Sequence, residues 1–331
     1  MSDDLRYDLY GLPAGNPYAA RPLDPLALPA DRELVLELAG FIRLEVIEAA
    51  VKEAISKGRP AYFLITGVGN SGRTSLANHA MYLYQQAAAS LLPPGFTFVT
   101  HRAERGDMTH DAYAVLCSTL LSLRNKMNAQ GIDIPPALRA HFSTLSERGA
   151  ANPMNEYDLQ EIAEFTATTF AGRNAGFGIR YEGVPAKELI TQAQKVFENT
   201  STVVVFVIDS YQHANTVQIT EADRQAFAER GHVFDLDTLT PEQIAALAEF
   251  RWKGHPPAPF DEQGVKNVFS KRPYTIGQAI QHLEVLLDLR LSEYESDVPW
   301  PAAEDLRIHE RWVRLKIWQR DRWNRLRGFH G

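Results

Sequence analysis

The sequence predicts an α/β protein: a parallel sheet flanked by helices, then a small all-α unit and a C-terminal helix. Three observations predict it. Short β-rich apolar runs alternate with helical patterns as far as about residue 239, which implies βαβ units. Thr202–Ile208 (TVVVFVI) is a nearly continuous β-branched run of the kind found in strands buried on both faces. After Thr240 helical spacings follow one another with no strand between them.

Taken in order, residues 1–32 are rich in Pro, Gly and Ala and read as an irregular N-terminal arm. From Glu33 to Lys57, Leu34, Leu38, Phe41, Ile42, Val46 and Ala49 recur at helical spacing, and Gly58 closes that helix. Ala61–Thr66 (AYFLIT) is a buried strand, Thr74–Ala89 a helix, and Phe96–Thr100 a second strand. A helix follows over Asp111–Ala129. Ile132–Ala151, with Pro135-Pro136, is a helical insertion, and Tyr157–Ala171 is another helix. Phe177–Tyr181 reads as a strand, Pro185–Phe197 and Glu221–Glu229 as helices, and Val233–Leu236 as the last strand. Thr240-Pro241-Glu242 supplies an N-cap, a proline at the first helical position and an early acid, so a new helix starts there. The chain divides into an arm (1–32), an α/β core (33–239), a helical unit (240–292) and a basic, Trp-rich terminal helix (293–331).

Composition narrows the function. A chain of 331 residues, 45% hydrophobic and 23% charged, has the make-up of an ordinary globular protein. No run of about 18 apolar residues reads as a membrane span, and the acidic start Met1-Ser2-Asp3-Asp4 lacks the order of a secretory signal. The lone Cys117 fits a reducing cytoplasm. A net charge of −7 argues against a chain that coats nucleic acid, yet the tail is locally basic. It holds Arg307, Arg311, Arg314, Lys316, Arg320, Arg322, Arg325 and Arg327 among Trp312, Trp318 and Trp323, a composition that suits core or subunit packing and also nucleic acid. The ten histidines show no zinc-ligand spacing, and no G-x-S-x-G elbow occurs. His101, Glu104, Asp107, His110 and Asp111 form a polar cluster that reads as a solvated loop and helix start.

The chemistry concentrates in Gly67-Val68-Gly69-Asn70-Ser71-Gly72-Arg73-Thr74-Ser75, set between a strand and a helix. This is the context of a P-loop, whose glycines let backbone N–H groups curl around phosphate while the helix N-terminus adds its dipole. Thr74 is placed to bind Mg²⁺ and Arg73 stands where the motif has lysine. A guanidinium is planar and larger than an ammonium, so phosphate is still neutralised but with a different reach, and slow hydrolysis is expected.

On these residues the chain resembles AAA+ ATPases, in particular the STAND-like branch, over roughly residues 7–292. Tyr10-Gly11-Leu12 and Asn16-Pro17-Tyr18 resemble the segment that wraps the adenine in that family, which implies a contact from Tyr18. Two acids compete for the Walker B position, Glu182 after Phe177–Tyr181 and Asp209 after Val203–Ile208. The family's order of strand, helix, sensor-1 strand, helix and final strand favours Glu182 as Walker B and Asp209 as sensor 1. Neither assignment supplies the usual Asp-Glu pair. Arg224 and Arg230 precede the last strand, where the family often places an arginine that reaches the neighbouring subunit's nucleotide, and Arg230 is the preferred one. The 240–292 unit would be the lid, and Ser270–Ala279 resembles its sensor-2 region, with Arg272, or alternatively Lys271, near the γ-phosphate. The resemblance implies ATP or ADP with Mg²⁺, a homo-oligomer, a protein partner and, through the tail, nucleic acid. It also leaves open a catalytically inactive scaffold, or a DNA-engaging regulator of the transposition or defence type.

Overall fold

In a computed structural model, five strands pair in one parallel sheet: β1 (Ala61–Gly67), β2 (Thr97–Ala103), β3 (Ala175–Gly183), β4 (Thr202–Asp209) and β5 (His232–Leu236). Their order across the sheet is β2-β3-β4-β1-β5, so β1 lies between β4 and β5. The structure describes residues 15–18, 20–38, 40–103, 111–148, 154–183, 187–209, 219–252, 259–292 and 308–328. Tyr10–Leu12, Glu104, Asp107, His110 and Arg307 lie outside the described residues, as do the side chains of Arg320, Arg322, Trp323, Arg325 and Arg327.

Helices cover both faces, as parallel strands require. On one face α1 (Leu44–Lys57) and α2 (Arg73–Leu91) bury Ile47, Val51, Leu76 and Met81 against Phe63, Ile65, Val203 and Val205. On the other, α3 (Ala112–Ala129), α4 (Pro136–Arg148), α5 (Glu156–Ala171) and α6 (Lys187–Val196) enclose Phe177, Ile179, Tyr181, Val204 and Phe206. The seven residues Ala61–Gly67 are all buried, which accounts for the unbroken apolar pattern of β1. The short α7 (Glu221–Ala228) carries a capping box between Thr220 and Asp223 and returns the chain to β5.

After β5 the chain forms α8 (Pro241–Trp252), α9 (Glu262–Phe269) and α10 (Ile276–Ser292), followed by α11 (Glu310–Gly328). These share a separate apolar cluster containing Ile244, Trp252, Val265, Phe269, Leu283, Leu287, Ile308 and Val313. The first half of α11 is therefore a packed element. Val313 is buried, and the Asn267 side-chain amide donates to Glu310 at 2.8 Å.

Two expectations need correction. The helix expected over Glu33–Lys57 begins only at Leu44; Pro29–Leu34 form a 3-10 turn, Val35 is extended, and Gly40 takes the left-handed region at φ 76°. The strand expected over Phe177–Tyr181 runs from Ala175 to Gly183, and the charged residues at its end belong to it.

His79 of α2 is 6% exposed, and burial pushes its imidazole down to about 4. It is neutral in the fold while an unfolded imidazole titrates near 6.5. The unfolded chain therefore binds the extra proton between those values, and stability falls as pH is lowered through that window. His232 is shifted in the same direction, also by burial. Urea unfolding at a series of pH values is expected to show a His79→Leu variant losing up to about 3 kcal/mol less than the parent between pH 7 and 4.

Candidate functional site

The loop after β1 sits at the carboxyl edge of the sheet, where α/β folds bind ligands. Its geometry follows from its residues. Gly67 has φ 157°, and a Cβ there would lie 2.5 Å from both the Leu236 carbonyl oxygen and the Ser71 hydroxyl. Asn70 (φ 64°) and Gly72 (φ 92°) are left-handed, which turns the chain into α2 with Gly72 as N-cap. That cap makes no side-chain hydrogen bond, and the first turn of α2 holds no acid. The first-turn N–H groups and the positive end of the helix dipole thus lack an anionic side chain of their own. The Ser71 hydroxyl, buried in the loop, also has no hydrogen-bond partner.

Two acids meet this loop. Thr74 donates its hydroxyl to Glu182 Oε1 at 2.5 Å, and Arg73 pairs with Asp209 Oδ2 at 3.0 Å. Glu182 and Asp209, the two acids singled out in the sequence, therefore lie on either side of the Arg73-Thr74 pair. The Glu182 carboxylate is also held by Arg180, Nη2 to Oε2 at 2.6 Å. Residues i and i+2 of a strand share a face, so β3 itself sets this pair. Arg180 is 5% exposed and bonds Asn78 of α2; burial pulls its guanidinium below the usual range, and the charge of Glu182 opposes that shift. Beside it, Arg102 of β2 pairs with Asp24 of the arm. The sequence reading missed Arg180, Arg102 and Asp24, although an arginine two residues before a strand-terminal acid was a visible signal.

A cavity of about 480 Å³ opens from the loop, within the size range of small-molecule sites. Residues 69–76 form one end, and Leu23, Val35, Ile42, Leu247 and Ile280 give it apolar walls. Arg21 and Arg251 also border it. Arg21 forks onto Asp31, which is completely buried, at 2.5 and 2.6 Å. Burial pushes the Arg251 guanidinium down to about 10, against the attraction of Asp31. The helical cluster closes the cavity at the start of α10. The Gly277 N–H donates to the Asn70 carbonyl at 2.8 Å, so close that a Cβ on Gly277 would lie 2.8 Å from that oxygen.

The remaining sequence candidates fall elsewhere. Tyr18 does not border the cavity; its ring is fully buried in the helical cluster, edge-on to Phe260, and its hydroxyl donates to the Ala248 carbonyl at 2.8 Å. It pins the arm, and Ala20–Leu23 face the cavity in its place. Arg272 likewise turns away: its guanidinium lies 4.7 Å from the Tyr274 ring centre and borders a second cavity with Arg311, Arg314 and Trp318. Arg224 pairs with Asp235, which also accepts from Thr66 beneath the loop. Arg230 sits at the opposite edge. It precedes β5, which rises about 3.3 Å per residue toward the loop edge, and it pairs with Glu198 at 3.8 Å.

These features define an α/β P-loop fold. No protein-family model matches the sequence, and no curated protein matches it significantly. Among solved structures the chain is similar to the Aeropyrum pernix ORC2 protein in its ADPNP–ADP complexes, with 14% identity, 86% of this chain and 70% of that chain covered, and a TM-score of 0.47. It is also similar to Drosophila ORC bound to DNA, with 13% identity, coverage of 86% and 63%, and a TM-score of 0.45. The chain thus spans less than two thirds of the latter's length.

Mg²⁺ at a P-loop is held by the Ser/Thr hydroxyl, an acid and the nucleotide's own phosphates. Thr74 and Glu182 are donors of that kind, brought within 2.5 Å of each other. No group of three or more acidic, His or Cys side chains able to hold a metal occurs among the described residues.

Replacing Gly277 by alanine is expected to force α10 off the loop. Urea titration should show a loss of about 1–3 kcal/mol, with faster amide exchange over residues 70–74.

Proposed function

We propose that the chain is an AAA+-type module that binds ATP and hydrolyses it slowly or conditionally. The observation that carries this is the Thr74–Glu182 contact at the mouth of an uncapped helix N-terminus, opening into a cavity with apolar walls. The loop's N–H groups and α2 would receive the phosphates, and the apolar wall from Leu23 to Ile280 would take the base. Arg73 would exchange Asp209 for a terminal phosphate, and Thr74 with Glu182 would hold Mg²⁺. When bound, that ion would neutralise charge on the phosphates.

The same contacts support slow turnover. A carboxylate that orients attacking water needs a free oxygen, and Glu182 has one on Thr74 and the other on Arg180. We assign Glu182 rather than Asp209 to the Walker B role because it meets Thr74. Arg230 would act on a neighbouring subunit's nucleotide, since it lies at the sheet edge away from its own loop. In this reading residues 33–239 form the core and 240–292 the lid, so binding would favour an assembled form.

Calorimetric titration with Mg-ATP is expected to show saturable binding that weakens at least about tenfold in Arg73→Ala. Phosphate release should stay below about 1 s⁻¹, the low end for enzymes, and vanish in Glu182→Gln. A folded sample that binds no nucleotide would refute the proposal.

One observation favours a second reading, a DNA-engaging regulator. Lys271, Arg272, Arg311 and Arg314 surround a cavity of about 560 Å³ beside Trp318, whose ring is half exposed. Cations for phosphate and a flat ring for a base suit single-stranded nucleic acid. Fluorescence anisotropy with an oligonucleotide is expected to give a steep salt slope, reduced by about one unit for each of Arg311→Ala and Arg314→Ala.

A further inference from the structure

The cavity carries a cation among its apolar walls. Arg251 stands one turn after Leu247 on α8, and both border the cavity. Residues four apart share a helix face, so the face that supplies an apolar wall also presents a guanidinium. Arg251 is 5% exposed, and burial pulls it down to about 10, so it is still charged at neutral pH.

Hydrogen bonds do not match that charge. The Arg251 Nε has no partner. Asp31 is the acid whose field reaches it, but Arg21 takes both Asp31 oxygens and the Asp24 N–H donates to one of them at 2.7 Å. The described residues that border the cavity include no Asp or Glu. A buried donor left unmet is costly, and the cavity is where an acceptor can reach this one. Between Leu247 and the arm, that acceptor belongs to the base.

Purines differ at the edge they would offer. A 6-oxopurine shows two acceptors, O6 and N7, spaced for a guanidinium fork, whereas adenine shows N7 beside an amino donor. Gln281 of α10 borders the same cavity, and an amide oxygen can accept from the N1–H that 6-oxopurines share.

We infer that Arg251 reads the base, so that the site takes a 6-oxopurine nucleotide (GTP or ITP) in preference to ATP. This rests on the nucleotide-binding reading above and sharpens its substrate. ATP enters the same cavity, with its amino group turned to a cation that it cannot satisfy.

The test is calorimetric titration of the full chain with GTP, ITP and ATP in millimolar Mg²⁺. GTP and ITP are each expected to bind at least about tenfold more tightly than ATP. ATP binding as tightly as either overturns the inference and leaves the nucleotide-binding reading standing. Binding of none of the three overturns both. GTP binding tightly while ITP matches ATP assigns the preference to the 2-amino group and overturns the role of Arg251. Arg251→Met keeps an unbranched apolar stem without the charge, and is expected to bring the three nucleotides within about threefold of one another. A folded Arg251→Met that keeps the preference overturns the assignment. Circular dichroism melting establishes that the variant is folded; should it unfold, the parent's ranking of ITP against ATP decides the matter.

Discussion

The hydrogen bond from the Gly277 N–H to the Asn70 carbonyl joins two parts of the chain that otherwise keep separate cores. On one side stands the sheet with its two helical layers; on the other stand α8 to α11 around their own apolar cluster. The contact falls at Asn70, one of the loop's left-handed residues, so the shape of the loop and the position of the helical cluster are set together. Two glycines make it possible. Gly67 lets the loop fold back against Leu236, and Gly277 lets α10 approach the result. The cavity is the space left between them, and it is lost if either approach fails.

Charge is arranged around that space in pairs. Arg73 with Asp209, Arg180 with Glu182 and Arg21 with Asp31 each place a guanidinium on a carboxylate, and each pair is at least partly removed from water. Paired in this way, the buried ions avoid the cost of isolated charges. The pairs nearest the loop would be competed for by phosphate, so nucleotide binding would be an exchange of partners with little net burial of new charge.

The alternation of strand and helix, the loop and both acids beside it were legible in the sequence because each rests on local pattern. Thr202–Ile208 could be read as a buried strand from its β-branched run, and Thr74 and Glu182 from their positions after strands. What was hidden depends on distant partners. The resemblance of Asn16-Pro17-Tyr18 to an adenine-wrapping segment points Tyr18 at a ligand; only the fold reveals the Ala248 carbonyl, 230 residues on, that claims its hydroxyl. Arg272 was drawn away from the loop by Tyr274, two residues along and on a surface that periodicity does not reveal. The helix expected from Glu33 has apolar spacing across its whole length, but Gly40 and an extended Val35 interrupt it. There backbone geometry overrode pattern.

The cavity's walls come from the arm near Leu23, the loop after β1 and helices α8 and α10, segments more than two hundred residues apart at their extremes. Such segments need not open together in the empty protein, since α2 after the loop packs with the sheet while α8 and α10 share the helical cluster. A molecule that touches all of them stabilises only the states in which all are closed. Filling the cavity would therefore turn several independent openings into a single cooperative unfolding transition, and the sharpness of the melt, rather than its midpoint alone, would report occupancy.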